Sequence, residues 1–302
     1  MPRRRLSRLS SASAVREMLE YSVPESWYDG VYKDKSAPCP AGRPFSMVQG
    51  SDKACLLIHG FSGYPGELVR PARDLYEKGF DVYVLRLPGH GTTGEDLSHT
   101  TKEDWLGAAE NAARDLRARY RWFCLLGHSM GGTVAALTSL KAVPDKLAMI
   151  ASPAGVSKQF PMPLWMLDIK CLWAKREPRP WHSDPSFVMY YENAPCDDER
   201  LGDEYWKWTY LRQFRDFLRM MKALRKKVPE LSADTLAVVG TEDHLIGTAD
   251  PEYVTSKPKG ANRMVVIENG THFLFYDRDK EAEEKAVSAV LDWFCSEVAI
   301  KA

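Results

Sequence analysis

The sequence predicts an α/β protein, with a mostly parallel central sheet flanked by helices and a helical segment inserted over one edge. Three observations predict it. Short, continuously apolar runs recur along the chain, as expected for strands buried on both faces. Between them lie stretches whose apolar residues fall on one helical face. One long aromatic-rich segment then interrupts the alternation. Strands alternating with helices imply a parallel sheet covered on both sides.

Taken in order, Ala54-Cys55-Leu56-Leu57-Ile58 is the first apolar run. Residues 67–78 follow as a helix, with Leu68, Ala72 and Leu75 on one face and Gly79 as its stop. Asp81-Val82-Tyr83-Val84-Leu85 is the next strand. Residues 103–119 form a long amphipathic helix, capped by Thr101 with Asp104 three residues on. A strand at 122–126, a helix at 131–141 and a strand at 147–150 come next. Strands at 236–239 and 264–267 and a closing helix at Lys280–Cys295 complete the pattern.

Residues 153–229 break it. No clean strand is readable there, and Phe160, Trp165, Trp173, Trp181, Tyr190, Tyr191, Tyr205, Trp206, Trp208, Met220 and Met221 crowd the segment. A short helix is readable near 163–174 and a longer one near 202–227. Because the segment follows the strand after the 131–141 helix, it is expected to be a lid (cap) over the sheet's carboxyl edge. Residues 45–152 and 230–302 are then the core. Residues 1–44 are expected to be a basic tail and linker: Pro2-Arg3-Arg4-Arg5-Leu6-Ser7-Arg8 carries no acid before Glu17 and no apolar signal-peptide region. Such a composition suits a disordered end, and the Pro/Gly-rich stretch at 33–44 suits a linker.

Bulk properties narrow the function classes. The chain has 302 residues, 44% hydrophobic and 27% charged, which suits one large domain with an insertion. Forty-one basic residues balance 41 acidic ones, so no strong field draws nucleic acid. No apolar run reaches the roughly 18–20 residues that span a bilayer. The six cysteines show no metal-ligand spacing, and Cys55 and Cys124 fall inside predicted buried strands. Reduced thiols and a cytoplasmic location are expected.

The chemistry concentrates in Gly127-His128-Ser129-Met130-Gly131, set between an apolar run and a helix. Strand, G-x-S-x-G and helix is the context that presents a serine hydroxyl on a strained turn. The glycines keep side chains out of the tightest part of that turn. A serine needs a base to take its proton and a carboxylate to orient the base, and this architecture orders them Ser, acid, His. Downstream, Val239-Gly240-Thr241-Glu242-Asp243-His244 offers Asp243 just past a strand, favoured over Glu242. Ile267-Glu268-Asn269-Gly270-Thr271-His272 offers His272 just past the next, with Asn-Gly making the turn. His244 is the rival base; His90, His99 and His182 rank lower. Oxyanion donors are expected from the backbone N–H groups of Met130, at a helix amino terminus, and of Phe61, in the loop after the first strand.

Together, His59-Gly60-Phe61-Ser62-Gly63, Pro88-Gly89-His90-Gly91, Gly127-His128-Ser129-Met130-Gly131, Gly240-Thr241-Glu242-Asp243 and Gly270-Thr271-His272 resemble the α/β-hydrolase family. The likeness is greatest to its bacterial carboxylesterase and monoacylglycerol lipase branch and covers roughly residues 53–298. It implies the α/β-hydrolase fold and hydrolysis of a small-molecule acyl ester through an acyl-serine, without metal or cofactor, with Ser129 as nucleophile, Asp243 as acid and His272 as base. The insert matches no assigned lid. Two alternatives stay open: cleavage of another acyl or C–C bond by the same residues, and a non-catalytic binding protein on this scaffold. A membrane or micelle surface enters as a further reading, because Arg212, Arg215, Arg219, Lys222, Arg225, Lys226 and Lys227 share a predicted lid helix with apolar residues. A solvated outer face is the preferred account of that helix.

Overall fold

The structure, a computed structural model, describes residues 20, 22–31, 33–155, 163–179 and 195–296. Nine strands are present among them: β1 (Phe45–Met47), β2 (Lys53–Ile58), β3 (Asp81–Leu85), β4 (Trp122–His128), β5 (Lys146–Ile150), β6 (Arg176–Pro178), β7 (Trp208–Tyr210), β8 (Asp234–Gly240) and β9 (Asn262–Ile267). Seven of these make one sheet in the order β1-β3-β2-β4-β5-β8-β9. Only the edge strand β1 runs antiparallel to its neighbour. The register aligns Cys55 with both Val82 and Cys124, and Ala148 with both Leu126 and Leu236.

Successive side chains of a strand point to opposite faces. Ala54, Leu56, Ile58, Phe123, Leu125, Leu147 and Met149 accordingly join one buried cluster. Cys55, Leu57, Cys124, Leu126, Ala148 and Ile150 join the other. With both faces covered, every position of these runs is apolar and no polar alternation shows. Helix α1 (Val69–Glu77) buries Ala72 and Leu75 on the second face. A five-residue helix α2 (Gly94–Ser98) leads into α3 (Lys102–Arg119), whose Trp105, Ala108, Ala109, Ala112, Ala113 and Leu116 cover the first face. Four alanines on that stripe let α3 lie close to the sheet. The expected capping box is present, with Thr101 N–H and Oγ1–H both donating to Asp104 Oδ2. Burying one large side chain such as Trp105 stabilises the fold enough that truncation to alanine costs about 3–5 kcal/mol.

Helix α4 (Met130–Ser139) follows β4 directly. Between β5 and β8 come α5 (Leu164–Trp173), the β6–β7 pair, α6 (Pro195–Leu201) and α7 (Leu211–Lys227). Helices α8 (Ala249–Ser256) and α9 (Lys280–Cys295) close the chain, with Ala282, Ala286, Val287, Val290 and Phe294 of α9 packed on the second face.

Two expectations are corrected here. The helix expected over 202–227 is broken: a π turn at Gly202–Trp206 and strand β7 precede α7, and β7 pairs antiparallel with β6. A three-residue strand is too short to show alternation, and its partner lies some 30 residues away. Residues 22–31 and 33–44 are not a free linker. Trp27 is fully buried in the first cluster and donates through Nε1–H to Asp115 Oδ2 at 2.8 Å, while Cys39 and Ala41 are buried too. The exposed apolar face of this segment lies on α5. Helix α7 buries Leu211, Phe217, Met220, Met221 and Leu224, whereas Trp165, Met166, Ile169, Leu172 and Trp173 of α5 face solvent. The readings made for residues 1–19, Phe160, Trp181, His182, Tyr190 and Tyr191 lie outside the described residues.

Candidate active site

The chain runs from β2 outward to β3, then crosses back over β2 to β4. At that reversal the loops leaving β2 and β4 diverge, opening a crevice at the carboxyl ends of the strands. Ser129 follows β4 there, and the loop 59–63 follows β2. Ser129 has φ +52° and ψ −122°, a conformation that L-residues adopt only under strain, costing about 1–3 kcal/mol. Two hydrogen bonds hold it: Ser129 N–H to Ile150 O at 2.8 Å and Gly132 N–H to Ser129 O at 3.0 Å. The glycines serve close approach. A methyl group at Gly127 would collide with the Gly131 backbone, and one at Gly131 with the carbonyl of Ile58.

His272 and Asp243 reach the same place from β9 and β8. Asn269 takes φ +59° to turn the chain past β9. Thr271 then donates through N–H (2.6 Å) and Oγ1–H (2.9 Å) to Asp277 Oδ2, fixing the residue before His272. His272 Nε2 lies 3.0 Å from Ser129 Oγ and Nδ1 lies 2.9 Å from Asp243 Oδ2. Asp243 Oδ1 accepts from the N–H groups of Leu245 and Ile246, both at 2.8 Å. A carboxylate held this way can only accept from His272. Nδ1 therefore carries the proton, and the Nε2 lone pair faces the serine hydroxyl. Asp243 and His272 are both buried, and Ser129 is partly exposed to the crevice.

The other candidates sit elsewhere. Glu242 and His244 point to solvent, and His99 is exposed beside Glu95. His59 is buried, accepting from Leu87 N–H at Nε2 (3.0 Å) and donating at Nδ1 to Gly60 O (3.0 Å). Burial and the neighbouring His90 hold its imidazole well below the ordinary range, so it stays neutral. His90 lies among Phe61, Trp105 and Tyr205, and burial pushes it down to about 4. Phe61 stacks on Phe217 with ring centroids 5.7 Å apart, and Met130 is fully buried at the start of α4. The N–H of Gly60 is taken by Glu67 Oε1 at 2.7 Å. No sequence pattern marks Glu67 or Asp277, and His128 stands at a variable position of G-x-S-x-G.

A cavity of about 340 Å³ opens over Ser129 and His272. Its walls are mainly apolar, with Phe61, Trp206, Trp208, Phe214, Phe217, Leu245, Ile246 and Phe273, and Arg179 stands among them. Trp206 ties the insert to the β2 loop by donating Nε1–H to Ser62 O at 3.0 Å. Among the described residues no group of three or more His, Cys, Asp or Glu is placed to hold a metal ion, and no helix is long and apolar enough to cross a membrane.

Residues 55–284 match the model of the alpha/beta hydrolase family. The chain belongs to that family. This α/β hydrolase is 25% identical over 247 residues to a thermostable monoacylglycerol lipase of Bacillus sp. (strain H-257), covering 80% of this chain and 92% of that protein. It is 24% identical over 257 residues to a carboxylesterase of Bacillus subtilis (strain 168), covering 83% of this chain and 98% of that one. Among solved structures, a lipolytic enzyme from a metagenome-derived pair superposes with a TM-score of 0.71 at 20% identity, over 85% of this chain and 99% of its own. The hydrolase fold, with its mostly parallel seven-stranded sheet and flanking helices, thus agrees from sequence, coordinates and relatives.

Proposed function

We propose that this α/β hydrolase cleaves carboxylic esters through an acyl-serine. The observation that carries the reading is the unbroken chain of hydrogen bonds from Ser129 Oγ through His272 to Asp243, at 3.0 and 2.9 Å, on the floor of an apolar cavity. The similarity to lipase and carboxylesterase sequences supports the ester as the bond attacked. His272 Nε2 takes the proton of Ser129 as Oγ adds to the carbonyl carbon, and the C=O pair moves onto oxygen. Asp243 keeps the imidazole in the needed tautomer and stabilises its cation. Backbone N–H groups of Phe61 and Met130 receive the oxyanion; losing one such donor typically costs about 2.7–4 kcal/mol. His272 returns the proton to the departing alkoxide, and the C–O bond breaks. Water activated by the same imidazole then releases the acid and restores Ser129.

Covalent labelling by a fluorophosphonate, with hydrolysis of p-nitrophenyl esters, tests this. The parent is expected to label at Ser129 and turn over; Ser129→Ala is expected to do neither while keeping its fold. Turnover near the parent rate in Ser129→Ala would remove the proposal, and a folded parent that binds acyl esters without labelling would make it a binding protein.

A specific observation also favours substrate taken from an anionic lipid surface. Trp165, Met166, Ile169, Leu172 and Trp173 recur at helical spacing on one side of α5, and all are exposed, Trp173 to 86%. Residues 164–179 and 211–227 carry eleven Lys or Arg against three Asp or Glu, in a chain whose net charge is zero. An apolar stripe with tryptophans beside excess positive charge is the composition that settles at a headgroup boundary. Arg215 and Arg219 of α7 pair with Asp168 of α5, so the basic helix lies alongside the stripe. Sedimentation with phosphatidylglycerol vesicles is expected to fail for the double variant Leu172→Ser/Trp173→Ser and to weaken in high salt. Equal binding by parent and variant would refute it.

A further inference from the structure

Two buried titratable groups beside the site take no part in the steps above. Glu67, 3% exposed, lies in the 3-10 turn Pro65–Leu68 ahead of α1. His128, 5% exposed, ends β4 immediately before Ser129. Glu67 Oε1 lies 2.7 Å from Gly60 N and 3.1 Å from His128 Nδ1. The backbone at Gly63 passes so close to the same carboxylate that a methyl group there would collide with it. His128 Nε2 lies 2.9 Å from the carbonyl oxygen of His272. One pair of side chains thus touches three loops: the one bearing Phe61, the turn bearing Ser129, and the one bearing His272.

The hydrogen-bond inventory sets the charge state. A backbone carbonyl can only accept, so Nε2 of His128 must carry a proton. Glu67 Oε1 already accepts from Gly60 N–H, as a carboxylate does, and Nδ1 must then donate to it. A ring donating at both nitrogens is an imidazolium. We propose that Glu67 and His128 form a buried ion pair that positions the oxyanion loop and the base loop about Ser129, acting through Gly60 and His272 as positioning residues. Other groups facing the His128 ring are Asp243, the His272 and His59 imidazoles, and the rings of Phe273 and Phe275. Burial works against the cation, but the hydrogen bond and charge of Glu67, the His272 carbonyl and the charge of Asp243 outweigh it and raise His128 above its ordinary value. A buried pair of this kind contributes little net stability, but removing one member leaves an uncompensated charge and severs the tethers.

The kinetic consequence rests on the serine-hydrolase reading; the protonation state does not, and the test keeps them apart. In the full chain labelled with ¹⁵N-histidine, the His128 ring, assigned by its proximity to the rings of Phe273 and Phe275, is expected to show two protonated nitrogens at pH 6.5 and only one in Glu67→Gln. On a p-nitrophenyl ester, Glu67→Gln and His128→Gln are each expected to lower kcat about a hundredfold, the scale of misplacing a reacting group by an ångström, with KM nearly unchanged. The double variant should be little worse than either single one, because both remove the same pair. A singly protonated His128 in the parent at pH 6.5 overturns the ion pair even if no variant folds. Parent-like kcat in Glu67→Gln, or losses that multiply in the double variant, overturns the positioning role. A parent that hydrolyses no ester defeats the ester reading alone, since the ring measurement still decides the pair.

Discussion

Asp243 uses both carboxylate oxygens: Oδ2 takes His272 Nδ1–H, and Oδ1 takes two backbone N–H groups. An asparagine here keeps its oxygen on the two N–H groups and turns NH₂ toward His272. The imidazole must then accept at Nδ1, its proton moves to Nε2, and Nε2 can no longer take the Ser129 proton. Asp243→Asn is therefore expected to cut kcat about 10⁴-fold, the loss seen when a base is locked in the wrong tautomer, with an unchanged urea midpoint. A loss below tenfold would show that Asp243 does not orient the base. Ser129, Asp243 and His272 were legible in the sequence because each stands just past an apolar run, in a fixed chain order. Glu67 was not. It reads as an acid at the start of an amphipathic helix, and its burial exists only once Gly60 and His128 have folded against it. The same holds for His59 and His90, whose neutrality comes from surroundings that no local pattern announces.

At the scale of elements, the long pieces were legible and the short ones were not. Asp81–Leu85 and Lys280–Cys295 are read directly, because five buried positions in a row or four helical turns leave an unmistakable pattern. Strands β6 and β7 leave none, since each exists only through the other. Yet this pair matters to the cavity, because β7 carries Trp208 and Thr209 into its wall. Trp208 lies under the Arg176 guanidinium at 4.0 Å from its ring centroid, so β6 braces the ring from behind. If the wall receives the acyl chain, each methylene buried is worth about 0.8 kcal/mol, or about fourfold in kcat/KM. The parent should then improve with acyl length until the cavity fills. Trp208→Ala, which leaves the β6–β7 backbone pairing in place, should flatten that rise while acetate esters react at nearly the parent rate. An unchanged chain-length profile in Trp208→Ala would place the acyl group elsewhere.

For the whole molecule, the buried histidines around the crevice tie stability to pH in two opposed ways. Burial lowers His59, and lowers His90 to about 4, both from an ordinary value of 6.5. Below pH 6.5 the unfolded chain therefore takes up protons that the folded one refuses. Stability falls with acid by up to about 1.4 kcal/mol per pH unit for each of these histidines, until the folded-state value is passed. His128 has the reverse sign. Its value is raised in the fold, so the stability it contributes is fully present below pH 6.5 and is lost as pH rises through the raised value. The two trends meet near neutrality, which is where the urea midpoint is expected to peak. His90→Asn isolates one limb: its amide can still donate to Pro88 O, as Nδ1 does at 3.1 Å, but it cannot titrate. The variant should start less stable, because it leaves part of the ring's volume empty. Between pH 7 and pH 5 it should then lose less stability than the parent, by about the share of one histidine. Parallel pH curves for parent and variant would mean that His90 takes up its proton in the fold over the same range as in the unfolded chain, and the neutral, ring-packed imidazole described above would be wrong.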